Sequence, residues 1–293
     1  SVNTYTFTAK DTDGDAVTAN SSDSGNGGGS VVGAYQINVG LDSTVLGTGW
    51  GAGTWSRGAW DSASALTDVA NILRIWTHDN YGEDLIINVR DGGVYYWDKS
   101  AYAATYSRAI ALSAVSGADD AVPTIAKKVL VSDRDRHVLA FGCDPEDAIG
   151  TQDPLLIRFS HQETVNTWES TSTNTAGSLR IGSGSEIITA IETRQQIIVF
   201  TDVSLHSLQF LGPPFTYGID LISENITVIS PLAAKAADDL VFWMGVEDFY
   251  VYDGRVQKLP CAIKSYIFND INLFQKEKIF AALNSSFNEI WWF

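Results

Sequence analysis

Five times along this chain an apolar run rich in Ile, Val, Leu, Phe or Trp sits between turn-forming residues, with further runs of the same kind beside it. The first unit, Asn71 to Lys99, reads Ile-Leu-Arg-Ile-Trp-Thr-His, then Asp-Leu-Ile-Ile-Asn-Val-Arg, then Val-Tyr-Tyr-Trp-Asp-Lys. Asp91-Gly92 separates the last two runs and predicts a hairpin, because glycine adopts positive φ without strain. Similar units occupy residues 127–143, 186–210, 233–259 and 278–293. Aligned on Leu85, Val138, Ile197, Leu240 and Ile290, their middle runs are spaced by 53, 59, 43 and 50 residues. A recurrence near ~40–50 residues with several strands per unit is the pattern of propeller blades. The expected fold is all-β: an incomplete or interrupted β-propeller of several three- to four-stranded blades, with inserted loops where the spacing widens.

The expected division is an N-terminal β-rich region, residues 1–65, followed by the blades, residues 66–293. Val2 to Ala9 alternates as a half-exposed strand does. Asn20 to Ser30 is a Ser/Gly/Asn tract with the composition of a flexible loop, and Val31 to Val39 resumes as a strand. The block Gly47 to Trp60 then sets Trp50, Trp55 and Trp60 five residues apart among glycines. That spacing matches neither helix nor strand, so these rings either pin an irregular loop to a core or form a contact surface. Within the blades, Tyr102 to Val122 reads as a connection with a helical turn. Ile263 to Asp270 is the best helical window. Gly212-Pro213-Pro214 is expected to end the third unit, since proline cannot join a central ladder. The polar tracts Asn20–Ser30 and Thr171–Ser178 are expected to be mobile contact loops.

Charge narrows the partners. The chain carries 19 Lys+Arg against 35 Asp+Glu, a formal −16, and Lys127-Lys128 is its one adjacent basic pair. Such a chain repels phosphates at long range and lacks the basic patch that grips nucleic acid. Cys143 and Cys261 are far apart and read as small buried hydrophobes rather than a disulfide framework. No apolar run is long enough for a membrane helix, and the opening residues do not read as a signal peptide. The chain opens on Ser1 and stops inside a strand-like run, Glu289 to Phe293, which reads as a segment of a longer protein with its final blade half-built.

Catalytic patterns do not emerge. Asp11, Asp13 and Asp15 around Gly14 lack the glycine and glutamate positions of a calcium loop. His78, His137, His161 and His206 have no metal-ligand spacing. Nucleophile-elbow, phosphate-loop and dinucleotide motifs are missing. Glu83-Asp84, Asp238-Asp239 and Glu247-Asp248 lie at turns, where acidic pairs are ordinary, and adjacency says nothing of the separation a glycosidase needs. Asn20, Asn225 and Asn284 head glycosylation triplets that read as chance matches. The chain is therefore read as a non-enzyme with no cofactor and no metal.

Several stretches resemble the tail nozzle (tail tubular protein B-like) group of β-propeller virion proteins from short-tailed bacteriophages. They are Tyr35 to Asp42, the Gly/Trp block, Leu73 to Trp76 with Asn80 to Leu85, and Gly92 to Trp97. Further stretches are Ile157 to Ser160 with Trp168, Phe200-Thr-Asp with Leu208 to Phe210, Phe242 to Met244 with Phe249 to Gly254, and Val256 to Leu259. The resemblance covers residue 31 to the end and implies a structural role in the virion tail. It implies a homo-oligomeric ring, usually hexameric, that contacts a tail adaptor protein and tail fibres and touches the host surface. DNA would pass without sequence-specific binding, through a conduit whose acidic lining repels phosphates. Two other readings stay open: a carbohydrate- or receptor-binding propeller with Trp rings stacking on sugars, and a propeller glycoside hydrolase.

Overall fold

Each of the five repeats folds as an antiparallel meander, in which every strand pairs with its sequence neighbour. The computed structural model describes residues 73–102 and 108–293, all within one compact unit. Sheet I comprises β1 (Trp76–Tyr81), β2 (Asp84–Val89), β3 (Val94–Trp97) and β4 (Ile110–Ala111). Sheet II comprises β5 (Lys128–Val131), β6 (Val138–Phe141), β7 (Leu156–Phe159) and β8 (Gly177–Arg180). Sheet III comprises β9 (Ile187–Glu192), β10 (Ile197–Thr201), β11 (Ser204–Gly212) and β12 (Thr216–Glu224). Sheet IV comprises β13 (Ala234–Ala237), β14 (Leu240–Met244), β15 (Phe249–Tyr252) and β16 (Val256–Lys258). A short helix α1 (Lys264–Asp270) and a 3-10 segment (Leu273–Lys278) lead to sheet V, the hairpin of β17 (Ala281–Asn284) and β18 (Glu289–Trp292). The protein is all-β, built from four-stranded antiparallel sheets. The five residues on which the repeats align each fall in the second strand of a sheet.

Both faces of the second strands explain the packing. Along β6, Val138 and Ala140 join a core shared with Ile86, Val94 and Leu112 of sheet I and the turn beyond it. Their alternates Leu139 and Phe141 join a second core with Ile187, Ile197 and Val199 of sheet III. Along β10 the alternation repeats: Ile197 and Val199 face that second core, while Ile198 and Phe200 face Val241 and Trp243 of sheet IV. A strand buried on both faces must be apolar at every position rather than at every second one. That is why β6 reads Val-Leu-Ala-Phe and β10 reads Ile-Ile-Val-Phe. Trp292 of β18 continues the series, packing 5.0 Å from Phe249 and donating its ring N–H to the Ala233 carbonyl at 3.0 Å.

Three local expectations change. In the turn after β2 the positive φ (54°) falls on Asp91 and not on Gly92. Gly212-Pro213-Pro214 does not end the third repeat; it is the tip of the β11–β12 hairpin, where no ladder hydrogen bond needs a proline N–H. The tract Thr171–Ser178 is not a free loop. Asn174 accepts from the Thr171 N–H and donates to the Glu169 carbonyl, and Gly177-Ser178 enters β8. Side-chain amides of this kind satisfy a turn's backbone locally. The helical window is borne out by α1, and residues 102–122 contain one end of a 3-10 turn, the short β4 and a second 3-10 turn, Leu112–Ala114. Residues 1–65, with Trp50, Trp55, Trp60 and the Asn20–Ser30 tract, lie outside the described residues.

Trp243 is fully buried between Phe200, at 5.3 Å and near-perpendicular, and Tyr250, stacked at 5.3 Å. Replacing it with alanine empties the junction of sheets III and IV and should cost about 3–5 kcal/mol in a urea titration. Trp243→Phe should cost markedly less, because it keeps a ring there and removes an indole N–H that has no hydrogen-bond partner.

Candidate functional site

The first strands of the five sheets follow one another in space: β1 packs on β5, β5 on β9, β9 on β13, and β13 on β17. They line a single cavity of about 550 Å³. β1 contributes Trp76, His78 and Asp79, β5 contributes Lys128 and Leu130, and β9 ends on Glu192. Lys235 of β13 and Ala281 of β17 complete the wall. A second depression, about 360 Å³, lies where these strands begin and includes Arg90, Lys127, Glu186, Asp202 and Glu277. A third, about 440 Å³, lies where they end and includes Asp133, Arg134, Glu192, Arg194 and Asp238.

Polar side chains tie neighbouring sheets around the cavity. Asp79 accepts from the Val131 backbone N–H at 2.9 Å, joining sheet I to sheet II. Glu192 accepts from the Asp133 N–H at 3.0 Å, and Lys128 Nζ donates to Thr189 Oγ1 at 3.1 Å, joining II to III. Arg194 pairs with Asp238, joining III to IV. Ser230 Oγ donates to the Ile279 carbonyl at 2.7 Å, and Leu232 bridges Phe280, joining IV to V. Arg90, after β2, reaches Glu277, before β17, at 2.8 Å.

The environment moves several titrations. Burial pushes the Glu192 carboxyl up to about 7, with the nearby Asp133 and Asp79 charges acting in the same direction. Burial brings the Lys128 ammonium down to about 8; Asp79 opposes the change and the Lys235 charge adds to it. The cavity therefore mixes both signs of charge.

Other chemical groups are held in closed networks. Ser183 Oγ and Ser204 Oγ lie 3.0 and 2.9 Å from His206 Nε2, and Thr201 Oγ1 contacts Ser204 Oγ at 2.7 Å. A hydroxyl beside an imidazole is half of a nucleophilic arrangement. Here two serine hydroxyls compete for one nitrogen, and burial holds the His206 pKa below the ordinary imidazole value. His137 Nε2 and His161 Nδ1 share the Thr175 hydroxyl at 3.2 and 3.0 Å, a convergence that 23 intervening residues conceal in the sequence. Burial lowers His137 to about 4. The three acidic turn pairs are engaged elsewhere: Glu83 with Lys99, Asp238 with Arg194, and Asp248 with Lys258 and Lys264. Cys143 is buried, its thiol pushed up to about 12, and Cys261 is half-buried; neither forms a disulfide. Among the described residues, no group of three or more His, Cys, Asp or Glu is placed to hold a metal ion.

Sequence reasoning did not single out Asp79, Lys128, Glu192 and Lys235. A signal exists for three of them: Lys128, Glu192 and Lys235 are each a charge inside or at the end of an otherwise apolar strand, as Lys235 is in Ala-Ala-Lys-Ala-Ala, whereas Asp79 sits in the mostly polar β1. It becomes informative only once the inward face of the strand is known.

No family model matches the chain, and no curated protein matches it either. Among solved structures the chain is similar to the extracellular domain of a "putative one component system" from B. thetaiotaomicron, at 12% identity and a TM-score of 0.44. The match covers 73% of this chain and 25% of that one, so the chain spans about a quarter of the solved structure.

Glu192 supplies a pH test of the cavity. Its folded pKa, about 7, lies above the ordinary carboxylate value. The stability tied to its neutral form is therefore complete below about 4.5 and lost as pH rises through about 7. Glu192→Gln keeps an acceptor for the Asp133 N–H and cannot ionise. Its melting temperature should exceed the wild-type value by a margin that is small at pH 5 and grows to pH 8. An equal margin at both pH values would contradict the assignment.

Proposed function

We propose that this chain is a non-enzymatic structural component of a bacteriophage tail, a β-propeller subunit of a nozzle ring. The five sheets follow one another with their first strands along one cavity, an arrangement that suits successive blades, and Arg90 of sheet I pairs with Glu277 ahead of sheet V. Stacked blades of this kind make a rigid block with few open strand edges.

The observation that carries the reading is the β11–β12 hairpin. Each strand is nine residues long, against four or five in β13–β15, and the pair continues past β10, whose register on β11 ends at Leu208. Phe210 and Tyr217, 5.5 Å apart, anchor the projecting part over His137 of sheet II. The end of the Leu211 side chain lies against Gly218 across the hairpin. Leu211 and Phe215 are 61% and 74% exposed. An ordered arm with an apolar tip suits a contact between copies, because the tip gains most when another surface removes it from water.

In this reading duplex DNA passes through the hole between subunits, not through the blade cavity, which at about 550 Å³ has the size of a small-molecule site. The formal charge of −16 supports a conduit that phosphates slide along without sticking. The adaptor ring and the fibres would meet the outer surfaces.

Native mass spectrometry tests this. Rings of about six copies are expected, together with recovery of the chain in the tail fraction of disrupted phage particles. Phe215→Asp and Leu211→Asp should abolish the ring while leaving the monomer's melting temperature within about a degree of wild type. A chain that stays monomeric, is absent from the tail fraction and binds glycans would instead favour the carbohydrate-binding propeller.

A further inference from the structure

Lys128 and Lys235 come from different sheets, β5 and β13, and both line the same cavity. Between them runs β9, which contributes Ala190, Ile191 and Glu192 to the wall. Neither lysine forms an ion pair with a carboxylate among the described residues. Among the described residues Lys128 Nζ has one hydrogen-bond acceptor, the buried Thr189 hydroxyl, for its three N–H bonds. Asp79, whose charge favours the ammonium of Lys128, forms no ion pair with it: one carboxylate oxygen accepts from the Val131 N–H and the other from the Asn80 N–H. Glu192 is committed to the Asp133 N–H. Opposite, on β1, Trp76 and His78 are exposed to the cavity, offering a flat apolar face and an imidazole.

We infer that this cavity binds a compact oxyanion, carboxylate or phosphate in character, held between the ammonium groups of Lys128 and Lys235 and within reach of His78. Two cations lining one cavity repel each other, and an anion bound between them offsets that repulsion. Burial lowers the Lys128 pKa to about 8; the Asp79 charge opposes the change and the Lys235 charge adds a smaller part to it. A bound anion restores the ordinary preference for the charged amine. Charge-assisted hydrogen bonds in a recessed site are stronger than the same contacts on the surface. The volume, about 550 Å³, admits a small acid and excludes a polymer. The inference concerns the blade cavity alone and stands whether or not the chain assembles into a tail ring.

The test is isothermal titration of the purified chain at pH 7 with inorganic phosphate and, separately, with malonate. Saturable binding of at least one is expected, weakened at least about tenfold by Lys128→Met and by Lys235→Met and unchanged by Lys99→Met, whose ammonium pairs with Glu83 on the surface. Phosphate alone, or malonate alone, distinguishes the two ligand chemistries. Circular dichroism verifies that each variant is folded. Lys235 lies at an exposed position of β13, so its variant tests the site even if Lys128→Met does not fold. In wild type, NMR of reductively methylated lysines supplies an independent readout: one amine should titrate well below the rest and move upward when the anion is added. No binding of either anion overturns the inference. So does binding that both methionine variants retain, which would place the anion elsewhere.

Discussion

The arrangement depends on apolar surface being present on both faces of the middle sheets. A sheet apolar on one face can sit at the surface of a protein; one apolar on both must lie between two others. Sheets II and III meet that condition through β6 and β10, whose alternating side chains divide between two cores. The order of the sheets in space then follows their order in sequence, because each short meander leaves its neighbour as the nearest apolar face. Sheets I and V, at the two ends of the series, keep one face half-exposed, as the outward Trp291 of β18 illustrates.

Packing face to face brings the first strands together, and their convergence has an electrostatic consequence. Charged residues that would be unremarkable on an isolated strand become confined to one cavity. Asp79 and Glu192 meet this by accepting backbone N–H groups of the next sheet, so the same contacts that compensate their burial also join the sheets. Lys128 donates to Thr189 and lies within the field of Asp79, but among the described residues neither it nor Lys235 forms an ion pair with a carboxylate. The anion proposal rests on that difference.

Function and fold meet in the one element that departs from the repeat. The β11–β12 hairpin is longer than its counterparts and carries apolar residues to a tip that the protein's own core does not cover. Its base is fixed by the Phe210–Tyr217–His137 contacts, so the tip is presented by an ordered arm. The proposed assembly role and the proposed ligand cavity occupy different parts of the molecule. One uses the last two strands of sheet III and the other uses the first strands of all five sheets.

By itself the sequence determined the class, the repeat and the second strand of every sheet. Those properties are local: turn residues, β-branched and aromatic runs, and the need for two-faced burial are all written in consecutive positions. Helix α1 was legible for the same reason. Other features were decided only by tertiary structure. Pro213-Pro214 reads as a terminator until a projecting hairpin supplies a tip with no ladder to interrupt. The Thr171–Ser178 tract reads as free until His137 and His161 are brought onto Thr175. Lys128 and Lys235, 107 positions apart, are ordinary strand lysines in the sequence. They become a pair because sheets II and IV flank sheet III and turn their first strands toward one cavity. Which charges share a space depends on the packing of sheets across the whole chain, and no local pattern encodes it.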